Sequence, residues 1–391
     1  MKRISRILCL VLVAVLLFSV AACTSPAAPA TPSAAPAASN APASQAPEAT
    51  GDAPAEQQTF KIGWSLHNLT PYNIGMDEYV NDFFAKNFPG TVEVIMSDAQ
   101  SDAMKQVADI EDMIAQDVDC IFVKSHDESS ISNVLGTARD QGILVVLLQR
   151  MVKTENYDFF VGCNYDTLGT DMGNEVLKAF PDGNFNYVFV EGNPGSSTDI
   201  ETVEKVEKVF ADSGLPGIVK LDGQFVKVIS RAESKTIMED WITAHGETID
   251  VVLCTNDELL IGTVQALDEC SFSEEKKKSI FMAGVNVVTE LLPRIQDGTV
   301  NLSFISTPGM FPCMELNMEH LTGNGAQYQR NYEIPSFPVT PNNVDLYYED
   351  TVKAGLYMLG FLPPAKNPLF DNLDQLYPEL VPLITKYDWS K

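Results

Sequence analysis

The chain has 391 residues, 45% of them hydrophobic and 9% aromatic, with a formal net charge of −27. That length is too great for one compact core and suits two lobes of ordinary size. Such acidity excludes a surface that holds nucleic acid or anionic lipid, and it favours a neutral or cationic ligand over a polyanion, although solubility alone is its commoner cause.

The first element is a leader. Lys2, Arg3 and Arg6 form a basic n-region, and an apolar stretch broken only by Ser19 runs from Ile7 to Ala22. A bilayer span takes about 20 apolar residues, so this stretch is short for one and has the size of a secretory h-region. It ends in Val20-Ala21-Ala22-Cys23, which resembles the bacterial lipobox, where cleavage precedes a cysteine whose thiol carries diacylglycerol. Residues 1–22 are therefore read as a lipoprotein signal peptide and Cys23 as the lipidation site. An ordinary signal peptide with a chance cysteine is the alternative. More than one acyl chain on the cysteine gives stable anchoring. Removing residues 1–22, which carry those basic residues and no acid, takes the net charge to about −30.

From Thr24 to Gln58, 20 of 35 residues are Ala or Pro, and none is aromatic or a bulky aliphatic. Such a segment has nothing with which to build a core and reads as a disordered tether reaching roughly 30 Å as a flexible coil. Residues 23–58 are thus the lipidated cysteine and linker.

Beyond residue 58, strand-like runs alternate with amphipathic stretches. The runs are Phe60–Leu66, Thr91–Ser97, Cys120–Lys124, Ile143–Leu148, Asp158–Gly162, Asn186–Val190, Gln224–Ile229, Val251–Cys254, Ser279–Met282 and Leu302–Ile305. Several are almost wholly apolar, as where helices cover both faces of a sheet. Between them, Val107, Ile110 and Ile114 share a helical face, as do Val203, Val206 and Phe210, and Ile237, Met238, Trp241 and Ile242. These stripes are core. The spacing also predicts Glu201–Lys205 and Glu204–Lys208 pairs on the outer face of the second helix. Alternating units of this kind predict an α/β fold with two doubly wound parallel sheets, one per lobe.

Cys120, Cys163, Cys254, Cys270 and Cys313 form no CxxC pair and are odd in number. They are expected to be mostly free thiols, with no metal cluster and no cofactor.

In doubly wound sheets the ligand sits beyond the C-terminal strand ends. There the sequence places Tyr72 and Asn73, then His126 and Asp127, Gln149 and Arg150, Asn164, Ser197, Asn256 and Asp257, Asn286, and Ser306. Amides, carboxylates and a guanidinium fork beside an aromatic ring suit a polyhydroxylated ligand. Asn and Asp at strand ends also serve as turn formers and caps, and Asp127 has that alternative as the cap of a helix starting near Ser129. His67, His126 and Asp127 could together hold a metal, but ordinary hydrogen bonding is the preferred reading of both histidines.

Lys61-Ile62-Gly63-Trp64-Ser65-Leu66, Ser97-Asp98-Ala99-Gln100-Ser101-Asp102, Gln106 through Ile114 leading to Asp119-Cys120-Ile121-Phe122-Val123, Thr255-Asn256-Asp257-Glu258 and Ala283-Gly284-Val285-Asn286 together carry a resemblance. From about Phe60 to Gly323 the chain resembles the ribose- and galactose-type periplasmic sugar-binding family. The resemblance implies two Rossmann-like lobes joined by three crossings and closing on a ligand. It assigns residues 59–163 with 307–342 to the N-terminal lobe, and 164–306 with 343–391 to the C-terminal lobe and an extension. The last crossing is expected at Asn342-Asn343-Val344. It puts Tyr72 where an aromatic flanks the sugar, with Asn73 beside it, Arg150 at the arginine closing the fourth strand, Asn256 at the amide of an Asn-Asp pair, and Ser306 near the hinge. Asn286 and Gln149 stand where the family commonly has aspartates, and the loop after Gly195 lacks its usual arginine. These departures point away from a plain pentose or hexose bound in the usual way.

The resemblance implies a receptor for a monosaccharide or sugar-like solute that serves an ABC permease and its ATPase. It would be monomeric, without nucleic acid, and held to the membrane only by its lipid. A sensory module feeding a chemoreceptor or kinase uses the same site, and a nucleoside receptor shares the fold. Enzymatic motifs such as GxSxG, HExxH, the P-loop or a post-strand GxGxxG do not occur, so an enzyme is not expected. Cys23→Ala is expected to move the protein from the membrane fraction to the soluble one. Unchanged membrane association on fractionation would count against the anchor.

Overall fold

The computed structural model describes residues 58–386. The signal segment, Cys23 and the tether up to Gln57 lie outside the described residues.

The first lobe begins β1 (Phe60–Leu66), α1 (Pro71–Asn87), β2 (Val92–Asp98), α2 (Ala103–Ala115), β3 (Cys120–Lys124), α3 (Ser132–Asp140), β4 (Leu144–Leu148) and β5 (Phe159–Cys163). The second follows with α4 (Tyr165–Ala179), β6 (Phe185–Glu191), α5 (Ser197–Asp212), β7 (Ile218–Phe225), α6 (Arg231–His245), β8 (Val251–Cys254), α7 (Asp257–Glu269), α8 (Glu274–Ser279), β9 (Phe281–Val285), α9 (Leu292–Gln296) and β10 (Leu302–Ile305). Then come α10 (Met310–Leu321), β11 (Asn331–Ile334), β12 (Phe337–Val339) and α11 (Asp345–Lys353).

Two six-stranded sheets result, ordered β11-β5-β4-β3-β1-β2 and β12-β10-β9-β8-β6-β7. All pairs are parallel except β10 with β12. The fold is thus α/β with two doubly wound parallel-sheet lobes. β3, buried at all five positions, shows why the central strands read as apolar runs: helices cover both faces. In the first lobe Trp64 meets Phe122 edge-on at 6.1 Å. The helical stripes are core as expected, with Ile110, Val206, Phe210 and Met238 buried.

Several elements differ from the reading above. The seventh strand is Ile218–Phe225, not Gln224–Ile229. It is the edge of its sheet and largely exposed, so it lacks an apolar signature, whereas the apolar run after it is a loop that reaches the cleft. β11 and β12 are too short to signal themselves. On α5, Lys205 pairs with Asp166 of α4, and Lys208 pairs with Asp212, in place of the expected glutamates. All five described cysteines are free.

The chain passes between lobes after β5 and after β10, and a third time between β11 and β12. Because β12 hydrogen-bonds to β10, this third crossing lies at residues 335–336 rather than at Asn342-Asn343-Val344. Residues 337–342 therefore belong to the second lobe.

The C-terminal arm then makes a fourth passage. Up to Met358 it lies on the second lobe: the Thr289 amide donates to the Tyr357 carbonyl at 2.8 Å, and Val288 bridges Met358. From Phe361 it lies on the first lobe, not the second as expected. Phe361 stacks on Tyr79 at 5.6 Å, and the Tyr79 hydroxyl donates to the Phe361 carbonyl at 2.6 Å. Farther on, Phe370 meets Phe311 at 5.8 Å and Tyr377 meets Tyr332 at 5.1 Å. Glycine is required at the passage itself, since a Cβ on Gly360 would sit 2.9 Å from the Ser306 carbonyl oxygen. Aromatic burial, rather than strand pairing, holds this arm. Phe361→Ala should lower the unfolding free energy by about 3–5 kcal/mol, as a buried Phe truncation does. The urea midpoint measures this, and a loss below about 1 kcal/mol would mean the ring is not packed in solution.

Candidate functional site

Strand C-terminal ends of both sheets face one cleft, holding about 610 Å³ of empty space out to open solvent. His67, Thr70, Tyr72, Asn73, Lys124, Gln149 and Arg150 line it from the first lobe. The second lobe supplies Tyr165, Thr198, Asp199, Ile229, Thr255, Asn256, Glu258 and Asn286, and the C-terminal arm adds Tyr357.

On the first-lobe side, helix capping positions the side chains. Pro71 opens α1, and Thr70 caps it by accepting the Asn73 amide at 3.3 Å, which sets Tyr72 and Asn73 in the first turn. Asn73 Nδ2 donates to the Asn68 carbonyl at 2.9 Å, and its Oδ1 accepts from Lys124 Nζ at 2.7 Å. Lys124 ends β3 with its ammonium 4.1 Å from the centre of the Tyr72 ring, within cation–π range. Gln149 is held at φ +67° and donates to the Tyr72 hydroxyl. Arg150 directs Nη1 to the Ser125 carbonyl at 2.9 Å. Burial, then the charges of Arg150 and Lys124, holds His67 well below the usual histidine range, so its ring is neutral.

Across the cleft, Asn256 caps α7 by accepting the Glu258 amide at 2.8 Å. Thr255 donates to Asp199 at 2.5 Å. Glu258 is held by Arg231 at 2.6 and 3.0 Å and accepts from the Tyr357 hydroxyl. Burial opposes its ionisation, but these partners keep its carboxyl below the usual range. Asn286 and Val287 adopt φ of +111° and +55°, and such values in a β-branched residue persist only where surroundings enforce them. Here they do: Asp257 accepts from the Val288 amide at 3.0 Å and from Ser303 Oγ at 2.9 Å, and Ser303 Oγ in turn accepts the Val287 amide at 3.1 Å.

Of the residues expected at the site, Tyr72, Asn73, Gln149, Arg150, Asn256 and Asn286 line this cleft. Ser306 lies behind it and donates to Asn286 Oδ1 at 2.7 Å. Asp257 is fully buried beneath the wall and supports the 286–288 turn. Asp127 is a turn former, its carboxylate accepting the amides of Ser129 and Ser130 at 2.8 Å each, and it caps no helix, since α3 begins only at Ser132 behind Ile131. His126 is outside the cleft lining and contributes its carbonyl to Arg150 at 3.4 Å. Asn164 caps α4, and with Ser197 it borders a neighbouring cleft beside Glu201 and Glu333.

Lys124, Tyr165, Asp199 and Tyr357 were not anticipated. Lys124 had a signal, a lysine closing an otherwise apolar strand where the cleft loops begin. Tyr357 had none, because only tertiary packing brings the arm to the cleft.

A protein-family model described as a periplasmic binding protein domain matches residues 62–317. The D-xylose-binding periplasmic protein of Haemophilus influenzae is 25% identical over 250 residues, 64% of this chain and 73% of that protein. The ribose import binding protein of Bacillus subtilis is 24% identical over 280 residues, 71% of this chain and 87% of that protein. Among solved structures, an ABC transporter solute binding protein from Bacillus halodurans with bound myo-inositol is similar at a TM-score of 0.67 and 24% identity, covering 75% of this chain and 99% of that one.

The neighbouring cleft carries a pH signature. Burial, and then the carboxylates of Glu333, Glu128 and Asp166, pushes Glu201 up to about 7 from 4.5. The folded state thus binds this proton more tightly than the unfolded chain. Its contribution to stability is full below about 4.5 and is lost as pH rises through about 7. Urea midpoints measured from pH 4 to 8 should fall across that window, and Glu201→Gln should flatten the decline. An unchanged slope in the variant would remove Glu201 as its source.

Proposed function

The chain belongs to the periplasmic binding protein domain family, and from that membership we propose that it is the extracytoplasmic receptor of an ABC importer, anchored through Cys23, which captures a sugar-like solute between its lobes and presents it to a permease and its ATPase. The observation that carries the reading is the cleft, where amides, hydroxyls and buried cations from both lobes converge beside the Tyr72 and Tyr165 rings. Amide and hydroxyl groups satisfy vicinal hydroxyls, and an aromatic face covers the C–H side of a sugar ring. Because the lining comes from two lobes, a ligand that touches both favours the closed arrangement, which gives a permease a state to recognise. Of the proteins named above, two are described by D-xylose binding and ribose import and the third holds myo-inositol, which supports a small polyhydroxylated ligand.

Thermal unfolding of the full chain against monosaccharides, sugar acids, polyols, nucleosides and amino acids tests this. A ligand at 100 times its Kd adds about 2.7 kcal/mol, a rise of several degrees for a protein of this size. Response to a sugar or polyol is the expected result. Response only to nucleosides or amino acids would overturn the sugar reading.

A further inference from the structure

The charges in the cleft do not balance within the protein. Lys124 is 4% exposed, and its ammonium meets only Asn73 Oδ1 at 2.7 Å, Met76 Sδ at 3.8 Å and the Tyr72 ring. Arg150 is 7% exposed and spends Nη1 on the carbonyls of Ser125 and His126, which leaves Nε and Nη2 without a hydrogen bond among the described residues. Neither cation forms an ion pair among the described residues. They stand close enough that Arg150, after burial itself, drives Lys124 well below the usual lysine range against the opposing charge of Asp199.

Acidic groups at the wall do not offset both cations. Glu258 is already matched by Arg231. Asp199 is the remaining lining carboxylate, and its hydrogen bond is to Thr255. His67 is neutral, and its buried Nδ1 has no partner. With Lys124 protonated, two cations stand against one carboxylate and leave a single positive charge in the cleft; burial and Arg150 disfavour that ammonium, and a bound anion is what would keep it charged. Buried charge without a counterion is strongly unfavourable, and such groups cluster where a ligand supplies the missing charge.

Resting on the receptor reading above, we infer that the natural ligand is a sugar acid with one carboxylate, which Lys124 and the free Nε and Nη2 edge of Arg150 hold, while amides such as Asn286 take its hydroxyls. A monoanion neutralises the cleft. A phosphate dianion would overshoot beside Asp199, and a neutral sugar would leave the positive charge buried and unpaired. The guanidinium edge offers the paired donors that suit a carboxylate. The acidity of the chain, which argued for a neutral or cationic ligand, acts from the surface, and its repulsion fades beyond a Debye length of about 8 Å at physiological salt.

Isothermal titration of the full chain with matched pairs tests this: galactose with galacturonate, glucose with glucuronate and gluconate, and glucose 6-phosphate as the dianion. The expected result is that a carboxylate member binds at least about tenfold more tightly than its neutral partner, the scale of one charge-assisted hydrogen bond. Lys124→Met should abolish that preference. A neutral sugar that binds as tightly as its acid would overturn the inference and leave the receptor reading standing. Tighter binding of the phosphate would overturn the monoanion assignment. A preference that survives in Lys124→Met would remove Lys124 from the site. Silence from every sugar, neutral and acidic, would sink both this inference and the sugar reading beneath it.

Discussion

The buried Asp257 carboxylate holds the second lobe's side of the cleft in shape. It is fully enclosed, accepts from the Val288 amide and the Ser303 hydroxyl, and is pushed up to about 7 by burial, against those hydrogen bonds. What it supports is a turn no tripeptide would adopt unaided, with Asn286 and Val287 both in the left-handed region. That turn aims Asn286 into the cleft, accepts the Leu359 amide at the Val287 carbonyl at 3.0 Å, and pairs Val288 with Met358. Cleft wall, Ser306 and C-terminal arm therefore meet on one strained segment. Strain of this kind persists where the surroundings over-determine it, and it concentrates at sites that work.

The arm changes how the lobes are joined. Three passages follow from the sheets, and the fourth follows from aromatic packing of Phe361 on Tyr79 and near Tyr72. One segment thus contributes Tyr357 to the cleft on the second lobe and, a few residues later, buttresses Tyr72 on the first. Tyr357 is also tied to Glu258, which Arg231 holds. The fourth passage runs through Gly360, where the backbone lies against Ser306 too closely for a side chain. This couples the arm to the cleft through direct contact, without a separate relay.

The charge pattern divides by depth. Paired ions such as Lys208–Asp212 and Lys353–Glu349 sit at the surface, where each contributes little to stability. The buried cations of the cleft form no ion pair among the described residues. An average over the whole chain hides this contrast, because the same formal charge has different consequences in high and low dielectric.

Much of the lobe architecture was legible in the sequence, because covered parallel strands must be continuously apolar and their helices must carry a stripe. β1, β3, β8 and β10 could be delimited by that rule alone. Half the expected site followed from the rule that strand ends face the ligand, which placed Tyr72, Asn73, Gln149, Arg150, Asn256 and Asn286 at one cleft. Composition cannot say which way an Asx or Ser side chain turns, so Asp127, Asn164 and Asp257 were drawn to the site although a local turn, a helix cap and the 286–288 turn respectively claim them. The edge strand β7 and the short β11 and β12 carry too little periodicity to be seen. Where the third crossing falls, the return of the arm to the first lobe, and the meeting of Lys124, Asp199 and Tyr357 depend on contacts between residues far apart in the chain. Local sequence determines hydrophobic period and capping; only the packed tertiary structure decides which distant charges face each other and remain unpaired.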